Sequence, residues 1–255
     1  MLADANKNSG NEPSATLLEV KGLRIEGLSE KGWQEIVCGV DLKLKRGEIL
    51  GLIGESGAGK STIGLAAMGF ARDGCRITAG EIIFDGIELC TASEEQKRKL
   101  RGNRIAYVAQ SAAAAFNPAH RLLDQFAEGP VDHKVMSRAE AKEKGRKLYR
   151  SLDLPDPDNI GERWPHQVSG GQLQRMMVAV AMSCGPDLII FDEPTTALDV
   201  TTQIEVLKTI KEIVTARNVA AIYITHDLAV VAQLADHLMV LRYGNLIEIN
   251  STGQI

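Results

Sequence analysis

Short apolar runs separated by glycine-rich or charged segments make up most of the chain, and the spacing within them changes along the sequence. In the first two runs, from Leu18 to Ile25 and from Ile36 to Leu44, apolar and polar residues partly alternate. An alternation of period two is typical of strands with one buried face. These runs predict antiparallel strands at one side of the fold.

Five later runs are apolar on both faces and alternate with helical stretches. Such runs are typical of parallel strands that are covered by helices. They predict an α/β fold with a mainly parallel sheet. The five runs are Ile49 to Ile53, Arg104 to Ala109, Leu188 to Phe191, Ala220 to Ile224 and His237 to Leu241.

Strand patterns largely disappear between residues 110 and 185. Ser137 and Glu140 form a capping box, which predicts a helix through about Leu152. A second helix is predicted from Gly170 to Ser183. We therefore expect a helical subdomain inserted into the sheet domain.

The N-terminal residues differ from the rest of the chain, because they are rich in Asn, Ser, Ala and Gly. This composition is typical of disordered segments. We therefore expect a disordered lead-in at residues 1–16 and one folded domain at residues 17–255. Residues 17–110 and 185–255 would form its core with an N-terminal antiparallel β subdomain, and residues 111–184 its helical subdomain.

The composition is that of an ordinary globular protein, with 255 residues of which 44% are hydrophobic and 24% are charged. The 29 basic and 33 acidic residues give a net charge of -4, which argues against nucleic acid as a partner. No apolar run reaches the roughly 20 residues that span a bilayer. We expect the chain to reach a membrane only through a partner. The four cysteines lack the spacing of a metal site, and free thiols are expected.

The segment from Gly54 to Ser61 reads GESGAGKS and fits the Walker A pattern of phosphate-binding loops. It lies between the apolar run that ends at Ile53 and a helical run from Thr62 to Phe70, which is the context that the pattern requires. We therefore expect a core of the P-loop NTPase type.

Each part of this loop has an expected role in binding ATP. The glycines let backbone N–H groups point at phosphate oxygens, and the helix that follows adds the positive end of its dipole. Lys60 would reach the β- and γ-phosphates, and the Ser61 hydroxyl would hold Mg²⁺. The expected ATP-binding residues here are Gly54, Gly57, Gly59, Lys60, Ser61 and Thr62.

Four polar residues follow predicted parallel strands, at the sheet edge where ligands collect. Asp192 suits a magnesium site, and Glu193 would polarise the water that attacks the γ-phosphate. Gln110 would reach the metal or that water with its amide, and His226 would donate to the γ-phosphate. Together with the Walker A lysine they form a sufficient set for phosphoryl transfer, with Glu193, His226 and Gln110 as catalytic residues.

The segment from Ser169 to Gln172, which reads SGGQ, opens the second predicted helix. Ser169 would cap that helix, and Gly170 and Gly171 would expose N–H groups at its positive end. This is a second phosphate-binding surface in one chain.

These motifs, in this order, resemble the nucleotide-binding subunit of an ABC transporter over residues 17–248. The resemblance implies ATP and Mg²⁺ as cofactors and a head-to-tail pair of ATPase subunits. The Ser169 to Gln172 turn of one subunit would complete the ATP site of the other, and Asp199 would also lie at the ATP. ATP-driven closure of the pair would then drive integral membrane permease subunits, with the chain at the cytoplasmic face of the cell membrane.

A finer resemblance is to the ATPases of the peptide and nickel importer group. It rests on Arg163 to His166, on Asp192 to Val200, on Phe116 to Pro118 and on the Glu55–Ser56 pair. It implies import of a small solute that an extracytoplasmic solute-binding protein delivers.

Three departures from that group stand out. Val168 replaces the usual Leu, and Gly27 replaces the aromatic residue that stacks on adenine, which leaves Trp33 as a substitute. The chain also ends at Ile255, before the C-terminal extension of the group. A truncated chain and one half of a fused pair both remain open.

The stretch from Ala112 to Phe116 follows Gln110, in the part of the family's helical subdomain that touches the membrane partner. An exposed run of small residues that ends in Phe predicts a socket for a short partner helix. The start of a helix is the other interpretation.

Three other functions remain open alongside import. An ABC exporter has the same ATPase motifs. An ABC-type ATPase that acts on nucleic acid or ribosomes usually has coiled coils or a second ATPase half, which are not seen here. A plain P-loop kinase or GTPase would not need the turn from Ser169 to Gln172.

Overall fold

The computed structural model describes residues 16–195 and 200–252. The predicted lead-in at residues 1–16 therefore lies outside the described residues, except for Thr16, which begins the first strand.

An antiparallel sheet contains four strands in the order β2-β1-β4-β5. The two predicted N-terminal strands are confirmed: β1 pairs antiparallel with both β2 and β4, and β2 lies at one edge of this sheet. The strands are β1 (Thr16–Ser29), β2 (Gly32–Lys45), β4 (Cys75–Phe84) and β5 (Ile87–Glu88).

A second sheet contains six strands in the order β10-β9-β3-β8-β7-β6. The five predicted strands are all present and run parallel, whereas β10 pairs antiparallel with β9 at one edge. The strands are β3 (Ile49–Gly54), β6 (Ile105–Val108), β7 (Leu188–Asp192), β8 (Ala220–Thr225), β9 (His237–Arg242) and β10 (Asn245–Ser251).

Eight α-helices lie among the described residues, and the region between β6 and β7 is helical wherever it has regular structure. The helices are α1 (Lys60–Ala66), α2 (Glu94–Leu100), α3 (Ala112–Ala115), α4 (Leu122–Asp132), α5 (Arg138–Ser151), α6 (Gly170–Ala181), α7 (Val200–Arg217) and α8 (Leu228–Leu234).

The capping predictions are confirmed. Ser137 caps α5 and Ser169 caps α6, each in a reciprocal capping box with the residue three positions later. The helix predicted from Thr62 to Phe70 is shorter than expected, because α1 ends at Ala66 and the left-handed Gly69 then turns the chain.

The parallel sheet separates two hydrophobic clusters. In β7, Ile190 belongs to the cluster with α1 and the antiparallel sheet, whereas Ile189 and Phe191 belong to the cluster with the helices of the inserted region. Successive side chains of a strand point to opposite faces, so both faces must be apolar. This explains why the runs are apolar on both faces. Because β3, β6, β7 and β8 run parallel, their carboxyl ends lie together at one edge of the sheet.

Candidate nucleotide site

The Walker A loop connects β3 to α1 and surrounds its own lysine. The Lys60 side chain is almost fully buried, and its ammonium donates to the carbonyl oxygens of Gly54 at 2.8 Å and Glu55 at 2.9 Å. The loop is therefore folded around a positive charge. Phosphate oxygens can replace these carbonyls as acceptors for the ammonium.

Asp192, at the end of β7, is buried and is held at both carboxylate oxygens. Ser61 donates its hydroxyl to Oδ1 at 2.8 Å, and the Tyr107 hydroxyl donates to Oδ2. Burial, and then the neighbouring Asp192, raises the pKa of the Tyr107 hydroxyl, so this group acts as a donor. The structure thus brings together Ser61 and Asp192, two of the three predicted metal ligands, at the first turn of α1.

Glu193 adopts a left-handed backbone conformation with φ of 48° just beyond β7, and its N–H donates to the carbonyl of Ile224 at 2.9 Å. Its Oε2 accepts a hydrogen bond from the Gln110 amide at 3.1 Å. Its Oε1 lies 3.2 Å from Nδ1 of His226. The three residues predicted to be catalytic, each at the end of a different strand, therefore meet at one carboxylate.

Lys60, Ser61, Gln110, Asp192 and Glu193 line one pocket of about 330 Å³, whereas the predicted residues Gly54 and His226 are not in its lining. Three further residues line it that are not among the predicted site residues, namely Ile36, Ser56 and Arg72. Arg72 comes from the loop after α1, where nothing in the local sequence signals a nucleotide contact. The predicted site residues in the lining are Gly57, Gly59, Lys60, Ser61, Thr62, Gln110, Asp192 and Glu193.

Trp33 is not among the described residues that line this pocket. The guanidinium of Arg76 lies 4.1 Å from the centre of its ring. A Cβ at Gly27 would instead lie 3.4 Å from a methyl group of Ile36, which does line the pocket. Gly27 therefore lies beside a residue of the pocket lining.

The turn from Ser169 to Gln172 also lies outside the lining of this pocket. Ser169 and Gly170 are exposed, and a Cβ at Gly170 would meet no atom within 4 Å. The N-terminus of α6 thus has open space beside it, as a surface that acts on another molecule requires. Asp199 lies outside the described residues.

A separate groove of about 440 Å³ borders β6, α3, α4 and α6. Ala115 and Phe116 line it, together with Glu128 and Met177. The prediction of an exposed Phe is wrong, because Phe116 is 7% exposed and belongs to the hydrophobic core. The exposed part of the predicted socket is Ala113 to Ala115.

Within the described ranges, no helix is both long enough and apolar enough to cross a membrane.

The fold is similar to two solved structures of the ATP-binding cassette MJ0796. A dimeric post-hydrolysis state bound to ADP and Pi gives a TM-score of 0.82 at 23% identity, covering 92% of this chain and 98% of that chain. A dimeric structure of MJ0796 as a bacterial ABC transporter cassette gives 0.81 at 24% identity, with the same coverage. At this identity the likeness concerns the fold.

Curated relatives are more similar in sequence. The chain is 39% identical to a probable peptide ABC transporter ATP-binding protein of Sinorhizobium fredii, over 93% of this chain and 71% of that protein. It is 38% identical to the dipeptide transport ATP-binding protein DppD of Bacillus subtilis, over 94% of this chain and 72% of that protein. The glutathione import ATP-binding protein GsiA of Salmonella typhimurium is 39% identical over 95% of this chain and 40% of its own length.

The family model described as ABC transporter matches residues 37–196, which begin in β2 and include the Walker A loop, the turn at Ser169 and the Asp192–Glu193 pair. The same chain has the cassette fold and long alignments with transporter ATPases. It therefore belongs to the ABC transporter family, as an ATP-binding and ATP-hydrolysing subunit.

Proposed function

We propose that this chain powers an importer of small peptides or peptide-like solutes, and that Glu193 activates the water that attacks bound ATP. The observation that carries the catalytic proposal is the contact of Gln110 and His226 with the two oxygens of the Glu193 carboxylate. These contacts orient a base in the pocket that also contains Lys60 and Asp192.

Lys60 binds the phosphates in this scheme. Its ammonium exchanges the carbonyls of Gly54 and Glu55 for oxygens of the β- and γ-phosphates, and the N–H groups of the loop and of α1 bind the rest of the triphosphate. Because the side chain is already ordered, little conformational freedom is lost on binding.

The donor set of Ser61, Asp192 and Gln110 fits Mg²⁺, since it offers a hydroxyl, a carboxylate and an amide oxygen close to the phosphate loop. When bound, Mg²⁺ supplies positive charge that neutralises the phosphate oxygens. Ser61 and Asp192 already contact each other, so the protein holds two of the three groups in place.

Glu193 accepts the proton of the attacking water as the water oxygen forms a bond to the γ-phosphorus. The bond from this phosphorus to the bridging oxygen breaks at the same time, and ADP and phosphate are the products. His226 and Gln110 hold the carboxylate, and Gln110 also lines the pocket.

A second ATPase subunit completes the site in this proposal. Ser169 and Gly170 are exposed, and the turn from Ser169 to Gln172 would offer a serine hydroxyl and helix N–H groups to a phosphate of the partner's ATP. The similar cassette MJ0796 is described as dimeric. The pair closes on ATP and opens after hydrolysis.

The transported solute is proposed from the relatives, whose names refer to peptides, dipeptides and glutathione. Integral membrane permease subunits would hold the chain at the cytoplasmic face of the membrane, and an extracytoplasmic protein would deliver the solute. We place a short permease helix in the groove beside α3, because the exposed side of α3 and the acidic Glu128 line an otherwise largely apolar cleft.

Two serine variants test the shared ATP site against helix capping. Ser169→Ala and Ser137→Ala each remove a capping hydroxyl from a capping box and should cost similar stability, about 1 kcal/mol. In a Glu193→Gln background, which slows hydrolysis, only Ser169→Ala should reduce the ATP-dependent dimer seen by light scattering. Equal dimerisation of the two variants, or monomers under all conditions with ATP and Mg²⁺, would refute the shared site.

Two alanine variants in α3 test the groove. Ala115→Trp fills the groove, whereas Ala113→Trp lies in the same helix but outside the groove lining. Only Ala115→Trp should prevent co-purification with the permease subunits, while ATP binding stays normal in both. Retention of the permease by Ala115→Trp would place the docking surface elsewhere.

A further inference from the structure

Tyr107 lies in β6 beside the strand that carries Asp192. In the parallel pairing of β6 with β7, Tyr107 is opposite Ile190. Neighbouring residues of paired strands share a face, and so do alternate residues of one strand, so Tyr107 is on the face of Ile190 and Asp192. Its ring packs against the hydrophobic cluster on this face, and its hydroxyl reaches Oδ2 of Asp192.

The two hydrogen bonds to Asp192 fix the orientation of its carboxylate. Ser61 binds Oδ1 and Tyr107 binds Oδ2, and the two donors come from different elements, α1 and β6. With only one donor, the carboxylate could rotate about its terminal torsion, which is a broad, soft rotation. The Tyr107 ring is partly buried and packs against this hydrophobic cluster, which restrains the position of its hydroxyl.

We propose that Tyr107 is a positioning residue of the magnesium site, whose hydroxyl holds Oδ2 of Asp192 so that Oδ1 stays with Ser61 at the phosphate loop. This inference rests on the proposed metal-binding role of Ser61 and Asp192. Groups that orient a metal ligand typically change metal affinity about 10- to 100-fold when they are removed. Tyr107 thus acts through Asp192 and not on the substrate.

The test compares two Tyr→Phe variants. Tyr107→Phe removes the hydroxyl that binds Asp192, whereas Tyr149→Phe removes a fully buried hydroxyl that has no hydrogen-bond partner among the described residues. Binding of Mn²⁺ would be measured by electron paramagnetic resonance with a non-hydrolysable ATP analogue present. Binding of the same analogue in EDTA and thermal unfolding would be measured in parallel.

Tyr107→Phe should weaken Mn²⁺ binding about tenfold or more and raise the Mg²⁺ concentration for half-maximal ATPase activity by a similar factor. Analogue binding in EDTA and the melting temperature should stay close to those of the wild type. Tyr149→Phe should leave every one of these quantities unchanged. Wild-type Mn²⁺ affinity in Tyr107→Phe would overturn the inference, and so would an equal loss of analogue binding in EDTA.

Asp192→Asn separates this inference from the proposed function. If Tyr107 acts through Asp192, Tyr107→Phe should have little further effect on Mn²⁺ binding in the Asp192→Asn background. Fully additive effects would overturn the positioning role. If Asp192→Asn itself leaves Mn²⁺ binding intact, the proposed metal site is wrong, and the positioning role of Tyr107 falls with it.

Discussion

Gly54 and Gly57 belong to the same phosphate-binding loop, yet a side chain at each position would meet different surroundings. Both have positive φ, 155° at Gly54 and 82° at Gly57, so alanine is strained at either position. A Cβ at Gly54 would lie 2.2 Å from the carbonyl oxygen of Leu241 in β9. A Cβ at Gly57 would meet nothing within 4 Å.

The difference in stability between the two alanine variants follows from this geometry. Gly57→Ala costs only the backbone strain, about 1–2 kcal/mol. Gly54→Ala adds a collision with backbone that cannot rotate away, and overpacking of this kind costs about 1–3 kcal/mol more. For a chain of this size 1 kcal/mol lowers the melting temperature by about 2–4 °C. Gly54→Ala should therefore melt roughly 2–12 °C below Gly57→Ala.

The assay is thermal and urea unfolding of both variants without nucleotide, followed by titration with a non-hydrolysable ATP analogue. Gly54→Ala should also bind the analogue more weakly than Gly57→Ala, since the start of the loop must move away from β9. Equal free energies of unfolding for the two variants would show that the Leu241 carbonyl does not constrain Gly54, and the reasoning would fail.

Three further outcomes are expected. Lys60→Ala should lose most of the rise in melting temperature that ATP causes, because the variant lacks the ammonium that binds the phosphates. An unchanged rise in melting temperature with ATP would contradict this role of Lys60. Burial would raise the pKa of Glu88, but hydrogen bonds from backbone N–H groups and the Thr91 hydroxyl lower it from 4.5 to about 2. The stability that the Glu88 carboxylate contributes is therefore present above about pH 4.5 and is lost towards pH 2. The free energy of unfolding that Glu88→Gln loses, measured with urea, should shrink as the pH falls through that interval. Gly27→Tyr should raise ATP affinity about fivefold or more by stacking on the base next to Ile36, as isothermal titration would show, and unchanged affinity would place the base elsewhere.

The sequence predicts the parallel strands well because their physical signal is local. Runs such as Leu188 to Phe191 are apolar on both faces and bounded by turn residues. In the fold, α1 and the antiparallel sheet cover one face, and helices of the inserted region cover the other. The caps of α5 and α6 are equally local, since a serine and a residue three positions later bond to each other.

Elements that depend on distant partners are not predicted by local sequence patterns. β4 includes several exposed residues and Gly80, and its pairing with β1 is not visible in its own sequence. α4 contains Pro130 near its end, which usually signals a break, yet Leu122 and Phe126 are fully buried and hold the helix in place. Tertiary packing outweighed the local signal here.

Prediction of the candidate site from the sequence is limited in the same way, by contacts between distant parts of the chain. Gln110, Glu193 and His226 could be selected because each follows a predicted parallel strand, and strand ends of this kind collect at one edge. The contact between Tyr107 and Asp192 requires the order of the strands, which places β6 beside β7. The placement of Arg72 in the pocket depends on the path of a loop, which no periodicity encodes.

The position of β6 in the sheet has a mechanical consequence. Among the described strands its hydrogen-bond ladder has a single neighbour, β7, whereas β7 and β8 have neighbours on both sides. A push on an edge strand strains one ladder instead of two, so β6 yields to a smaller force than the strands beside it. A partner bound in the groove would contact Ala106 and Tyr107 of this edge strand, which leads to Gln110 in the nucleotide pocket.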